Sequence, residues 1–122
     1  MTTAARYSAA VRELFSTAGH AGDAKGPTVD LSRGAERVVL SANLDGARVT
    51  RLAFRVFGCP HLVAAAEAFC DEFEGRAASD MAAFRASDLI EKLAIPVEKT
   101  GRILLLEDAV RALQASIAAP PR

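Results

Sequence analysis

Hydrophobic and polar positions alternate most clearly over residues 47–57, "ARVTRLAFRVF", where Leu52, Phe54 and Val56 fall on one side. Strict alternation predicts a strand with one buried face. "ERVVLSANL", residues 36–44, and the shorter "TVDLS", residues 28–32, predict two more. Asp45-Gly46 joins residues 36–44 to residues 47–57, and both residues tolerate the positive φ of a tight hairpin. The three runs therefore predict an antiparallel meander.

Elsewhere the period changes to that of a helix. Over residues 3–17, Tyr7, Val11, Leu14 and Phe15 share one stripe. "AGHAGDAKGP", residues 18–27, breaks it. After Gly58 the pattern is helical to about Glu74, and Gly75 suits the position just past a helix end. Ser79 and Ser87 are placed to cap short helices running to Phe84 and Leu93. "AIPVEKTG", residues 94–101, interrupts the pattern again. Ile103, Leu106, Val110, Leu113 and Ile117 then step by three and four, and Pro120 and Pro121 close that helix. The order predicts one α+β domain over residues 1–122, a small antiparallel three-stranded sheet with helices on one face.

Charge and composition narrow the function classes. Fifteen acidic and fifteen basic residues cancel, which gives no reason to expect nucleic acid or an anionic membrane. No apolar run is long enough to span a bilayer. "MTTAARYSAAVRELF" carries charges inside its apolar pattern and does not read as a secretory signal. Cys59 and Cys70 are too few for a disulfide framework, so the expectation is a cytoplasmic protein with reduced thiols.

The candidate chemistry sits where the third strand turns into a helix, at Gly58-Cys59-Pro60-His61. Pro60 suits the first helical position, which makes Cys59 the expected N-cap. The unpaired N–H groups and partial positive charge of a helix start favour thiolate. A small apolar residue at a tight turn explains Cys59 as well. For His61 a surface position is the simpler reading, with a metal or base role the sharper one. Cys70 lies three turns along the helix, ~16 Å away, and reads as core. His20, in the Gly-rich loop, has no evident sequence partner and reads as solvated. There is no CxxC, HExxH, GxSxG or phosphate-binding glycine loop, hence one candidate reactive thiol and no expected enzyme activity.

These residues resemble a family. "YSAAV" (7–11), the Gly-rich loop, "RLAFRVFGCPHLVAAA" (51–66), "LAIPVEK" (93–99) and "ILLLEDAVRAL" (103–113) are similar, in order and spacing, to segments of the iron–sulfur cluster assembly scaffold proteins of the IscU type, equivalent to the N-terminal domain of NifU. The resemblance implies a scaffold for an iron–sulfur cluster or iron or zinc. It also implies a cysteine desulfurase and an Hsp70-type chaperone as partners, the latter through 93–99. In that family three cysteines, an aspartate and a histidine hold the cluster. Cys59 matches the middle cysteine. The other matching positions hold Arg33, Ala35, Gly101 and Arg102. One thiolate per chain does not hold a cluster in the usual way, so stable binding by a monomer is not expected. A dimer supplying Cys59 and His61 from each chain would reach four ligands. Arg33 and Arg102 beside Cys59 would favour a thiolate or an anion over a metal cation. Alternatively they pair with Glu36, Glu98 or Asp108. Three readings remain open: a divergent scaffold, a single-cysteine persulfide acceptor of the SufE type, and a binding module without metal chemistry.

Overall fold

In the computed structural model, residues 7–118 are described. Helix α1 spans Ala9–Thr17. Strands β1 (Thr28–Arg33), β2 (Glu36–Asp45) and β3 (Arg48–Phe57) follow, then helix α2, Pro60–Phe73. A 3₁₀ turn at Ala78–Ala83 leads to α3, Ala86–Lys92, and a second at Val97–Lys99 runs into α4, Thr100–Ala118. Residues 3–6 of the first expected helix, and Pro120 and Pro121, lie outside the described residues.

The sheet is an antiparallel meander in the order β1-β2-β3. Register pairs Arg33 with Glu36 and Asp45 with Arg48, leaving the two-residue loops Gly34-Ala35 and Gly46-Ala47. Each opens on a glycine at φ near 60°, a value that favours glycine and matches the right-handed twist of the flanking strands. Leu52, Phe54 and Val56 share a face, opposite Ala42, Leu40 and Val38. Helix α4 lies across β1 and β2 on that face, and α2 across β3. The α4 stripe is fully buried at Ile103, Leu106, Val110 and Leu113. Each such side chain contributes roughly 1.5–3 kcal/mol of apolar burial.

The Gly-rich loop crosses part of the opposite face. Gly22 N–H donates to Phe54 O (2.8 Å) and Phe54 N–H to His20 O (3.0 Å), so residues 20–22 run along the edge of β3. Ala24 N–H then donates to Ser41 Oγ (2.8 Å), on the far side of the pleat from Leu40. His20 is not solvated, contrary to the expectation. Its Nδ1 lies 2.6 Å from Glu67 Oε2, its Nε2 3.1 Å from Glu74 Oε1, and its backbone N–H donates to Glu67 Oε1 at 2.9 Å. Glu67 is buried in α2, so without a cation it would be a costly residue there.

Three local expectations are corrected. Ser79 and Ser87 cap nothing. The first 3₁₀ turn starts after Ala77, and α3 after Arg85. The α3 amide of Ala86 donates instead to Glu107 Oε1 of α4 at 2.5 Å. Phe15, placed on the apolar stripe of α1, is 47% exposed, while Val11 holds the core contact.

Candidate functional site

Three chain segments meet at one end of the sheet. β3 ends at Phe57, and the chain turns at Gly58 into α2. Cys59 is the N-cap residue and Pro60 the first helical one. Cys59 caps with its carbonyl, which accepts from Leu62 N–H (3.0 Å), and its thiol is left free of capping. The β1–β2 hairpin brings Glu36 to the same place, on the helix-facing side. A Cβ at position 58 would strike Glu36 Oε2, so glycine lets the carboxylate lie against the turn. The third segment is the first turn of α4, carrying Gly101 and Arg102.

Arg102 ties the three together. Its Nε lies 3.1 Å from Glu36 Oε1, a pair only 30% and 16% exposed. It also faces the Cys59 thiol. The guanidinium pKa is pushed above its ordinary value, first by the Cys59 side chain beside it and last by the charge of Glu36. Arg33 behaves differently, pairing in solvent with Asp108 Oδ2 at 3.0 Å. Both arginines, with Glu36, Glu98, Gly101 and Leu105, line a depression of about 200 Å³.

His61 is not at the surface either. It is 3% exposed, its ring centroid 4.8 Å from that of Tyr7. It lines a second cavity of about 370 Å³ with Tyr7, Pro96, Glu98 and Lys99. Burial lowers its pKa first, and the charges of Lys99 and Arg102 lower it further against the opposing pull of Glu98. Its Nδ1 and Glu36 Oε2 are buried without a hydrogen-bond partner among the described residues. Cys70 is fully buried in α2, and burial raises its thiol pKa well above the usual value.

The structure thus brings Cys59, Arg102 and Glu36 together, with Arg33 on the rim, and puts His61 in a neighbouring cavity. Among the described residues no three His, Cys, Asp or Glu side chains are grouped to hold a metal ion. A single thiol faced by a guanidinium does not fit a cluster. The pairing of the two arginines with Glu36 and Asp108 is one of the alternatives the sequence left open, and the structure has both pairs. The sequence reading missed Glu67, the partner of His20. The signal for Glu67 was available: it is the one charge inside "LVAAAEAFC", seven residues from Glu74 on the same helical face.

No protein-family model matches the sequence, and no curated protein matches it. Solved structures do match. One is a proposed iron–sulfur cluster assembly scaffold protein for the SUF system from Fervidobacterium islandicum AW-1, with a TM-score of 0.74 at 12% identity. That alignment covers 93% of this chain and 99% of the other. The chain has the iron–sulfur scaffold fold. A nitrogen-fixing NifU-like protein (N-terminal) from Brucella abortus aligns over 89% of this chain and 82% of its own, at a TM-score of 0.57 and 17% identity. A hypothetical protein aligns at a TM-score of 0.56 and 21% identity, over 88% of this chain and 83% of its own. The three likenesses, at 12–21% identity, are likenesses of fold. No helix among the described residues is long and apolar enough to cross a membrane.

Proposed function

We propose that this protein serves iron–sulfur cluster assembly as a scaffold-fold protein whose thiol, Cys59, accepts sulfur rather than holding a cluster. The observation that supports this is Arg102, fixed by Glu36 and facing Cys59. A guanidinium stabilises an anion at that sulfur and opposes a metal cation there. The step needs no oxidant. Cys59 thiolate attacks the outer sulfur of a donor persulfide, R–S–SH. A new S–S bond forms at Cys59, the donor's S–S bond breaks, and the donor leaves as the thiolate R–S⁻. The proton stays with the transferred sulfur.

The sequence resemblance implies a cysteine desulfurase as the donor and, through residues 93–99, an Hsp70-type chaperone as a second partner. Phe57, Val97 and Leu104 are large apolar side chains left exposed, Val97 by 85%, and they favour protein docking at this end. The binding-module reading rests on them alone. Incubation with a low-molecular-weight persulfide under anaerobic conditions, read by intact mass, tests the proposal. One added sulfur on Cys59 and none on Cys70 is expected. A stable cluster absorbance after addition of iron and sulfide, lost in Cys59→Ser, would show instead that the thiol is a metal ligand.

A further inference from the structure

The loop between α1 and β1 plays no part in the chemistry at Cys59, and it is held in an unusual way. None of residues 18–27 is fully buried, so polar contacts rather than apolar packing keep the loop in place. Two backbone bonds join it to Phe54. Ala24 and Lys25 N–H donate to Ser41 Oγ (2.8 Å) and Asn43 Oδ1 (2.7 Å). Asp23 meets Arg55 only at 3.6 Å, with both side chains exposed, which adds little. The strongest tie is His20, whose backbone N–H and Nδ1 both engage Glu67 while Nε2 reaches Glu74.

Glu67 makes that tie conditional. It is 5% exposed, and among the described residues its one ion pair is with His20. A buried carboxylate needs a cation or water beside it. When His20 is protonated, each ring nitrogen donates to a carboxylate. When it is neutral, one nitrogen turns an acceptor lone pair toward a carboxylate oxygen, and Glu67 loses its counter-charge. Lifting the loop then lets water reach Glu67, at little cost in apolar contact. The charged groups facing His20 are Glu67 and Glu74, both from α2, and Arg51 of β3 acts on Glu74 from further off. Burial pulls the His20 pKa down, but the hydrogen bonds and charges of the two carboxylates outweigh it. We propose that residues 19–25 form a pH-operated strap: closed on α2 and β3 while His20 is an imidazolium, and lifted, with the sheet and helices still folded, once His20 is neutral. The strap is therefore shut in mildly acidic solution and opens as pH rises through the folded-state titration of His20.

Amide hydrogen exchange of the full chain tests the strap, each rate being divided by the intrinsic rate at the same pH. The Gly22 and Phe54 amides report the strap, because each donates across it. Leu106 and Val110, buried in α4, report the core. Between about pH 5.5 and 8.5, protection at Gly22 and Phe54 should fall by up to about tenfold per pH unit as one proton is lost, while Leu106 and Val110 keep theirs. His20→Gln should be less protected than wild type at the acidic end and nearly independent of pH. Glu67→Gln removes the charge that lifting hydrates, and should weaken the pH dependence. Flat protection at Gly22 and Phe54 in wild type, an equal fall at Leu106 and Val110, or an unchanged pH dependence in either variant overturns the proposal.

Discussion

The two histidines stand in opposite surroundings. His20 belongs to an irregular loop, yet it is bracketed by two carboxylates. His61 belongs to a helix, yet one ring nitrogen has no partner among the described residues and its charged neighbours are mostly cations. Burial pulls both pKa values down. At His20 the hydrogen bonds and charges of Glu67 and Glu74 outweigh it, and the pKa is raised. At His61 Lys99 and Arg102 add to it, and the pKa is lowered. The difference teaches that what a buried imidazole does is decided by the charges packed against it.

Substitution by leucine should separate the two most strongly. His20→Leu leaves Glu67 buried without its cation. We expect a loss of about 2–3 kcal/mol in urea unfolding at neutral pH, below the full cost of a broken buried pair because Glu74 is partly exposed. His61→Leu removes an unpartnered polar atom and should be near neutral or mildly stabilising. Equal losses in the two variants would break the comparison.

The pH dependence should run in opposite directions. His20's folded pKa lies above its unfolded value. Its contribution is complete below the unfolded value, near 6.5, and fades as pH rises through the folded one. His61's folded pKa lies below its unfolded value, so the unfolded chain binds more protons there. Its contribution is complete above pH 6.5 and is lost as pH falls through the folded value. Urea midpoints measured from pH 5 to 9 should fall less steeply on the alkaline side in His20→Gln and less steeply on the acidic side in His61→Gln, each relative to wild type.

The smallest effect sharpens the cause. Lys99→Gln removes one cation and should move the His61 titration upward while leaving His20 in place, both read from imidazole resonances. A fixed His61 midpoint would leave burial as the whole explanation.

What could be read from the sequence was local. Strand alternation, the glycine at the β2–β3 turn, Pro60 after Cys59 and the α4 stripe each depend on residues within a turn or two of one another. The turn at Gly34 sets Arg33 and Glu36 side by side by the same short-range rule. What could not be read involved partners far along the chain. His20 meets Glu67 and Glu74 across 47 and 54 positions, and Ala86 finds its cap in Glu107. Ser79 and Ser87 carry the right chemistry one or two residues inside the wrong boundary. His61 looked like a surface residue because nothing nearby in sequence shows that Tyr7 and residues 96–99 close over it.

The short path of residues 20–22 along β3 also bears on how the protein keeps to itself. A three-stranded meander has two raw edges, each a row of backbone groups on which a foreign strand can grow. At Phe54 of β3 that row is occupied by the chain's own loop, through Gly22 and His20. The loop has almost no regular structure of its own, and His20 is the side chain that ties it to α2. Residues 75–78 guard the other end of that edge, at Ala47 and Val49, so the stretch around Phe54 is where a lost imidazole would open β3 to strand addition while the core beneath it is intact.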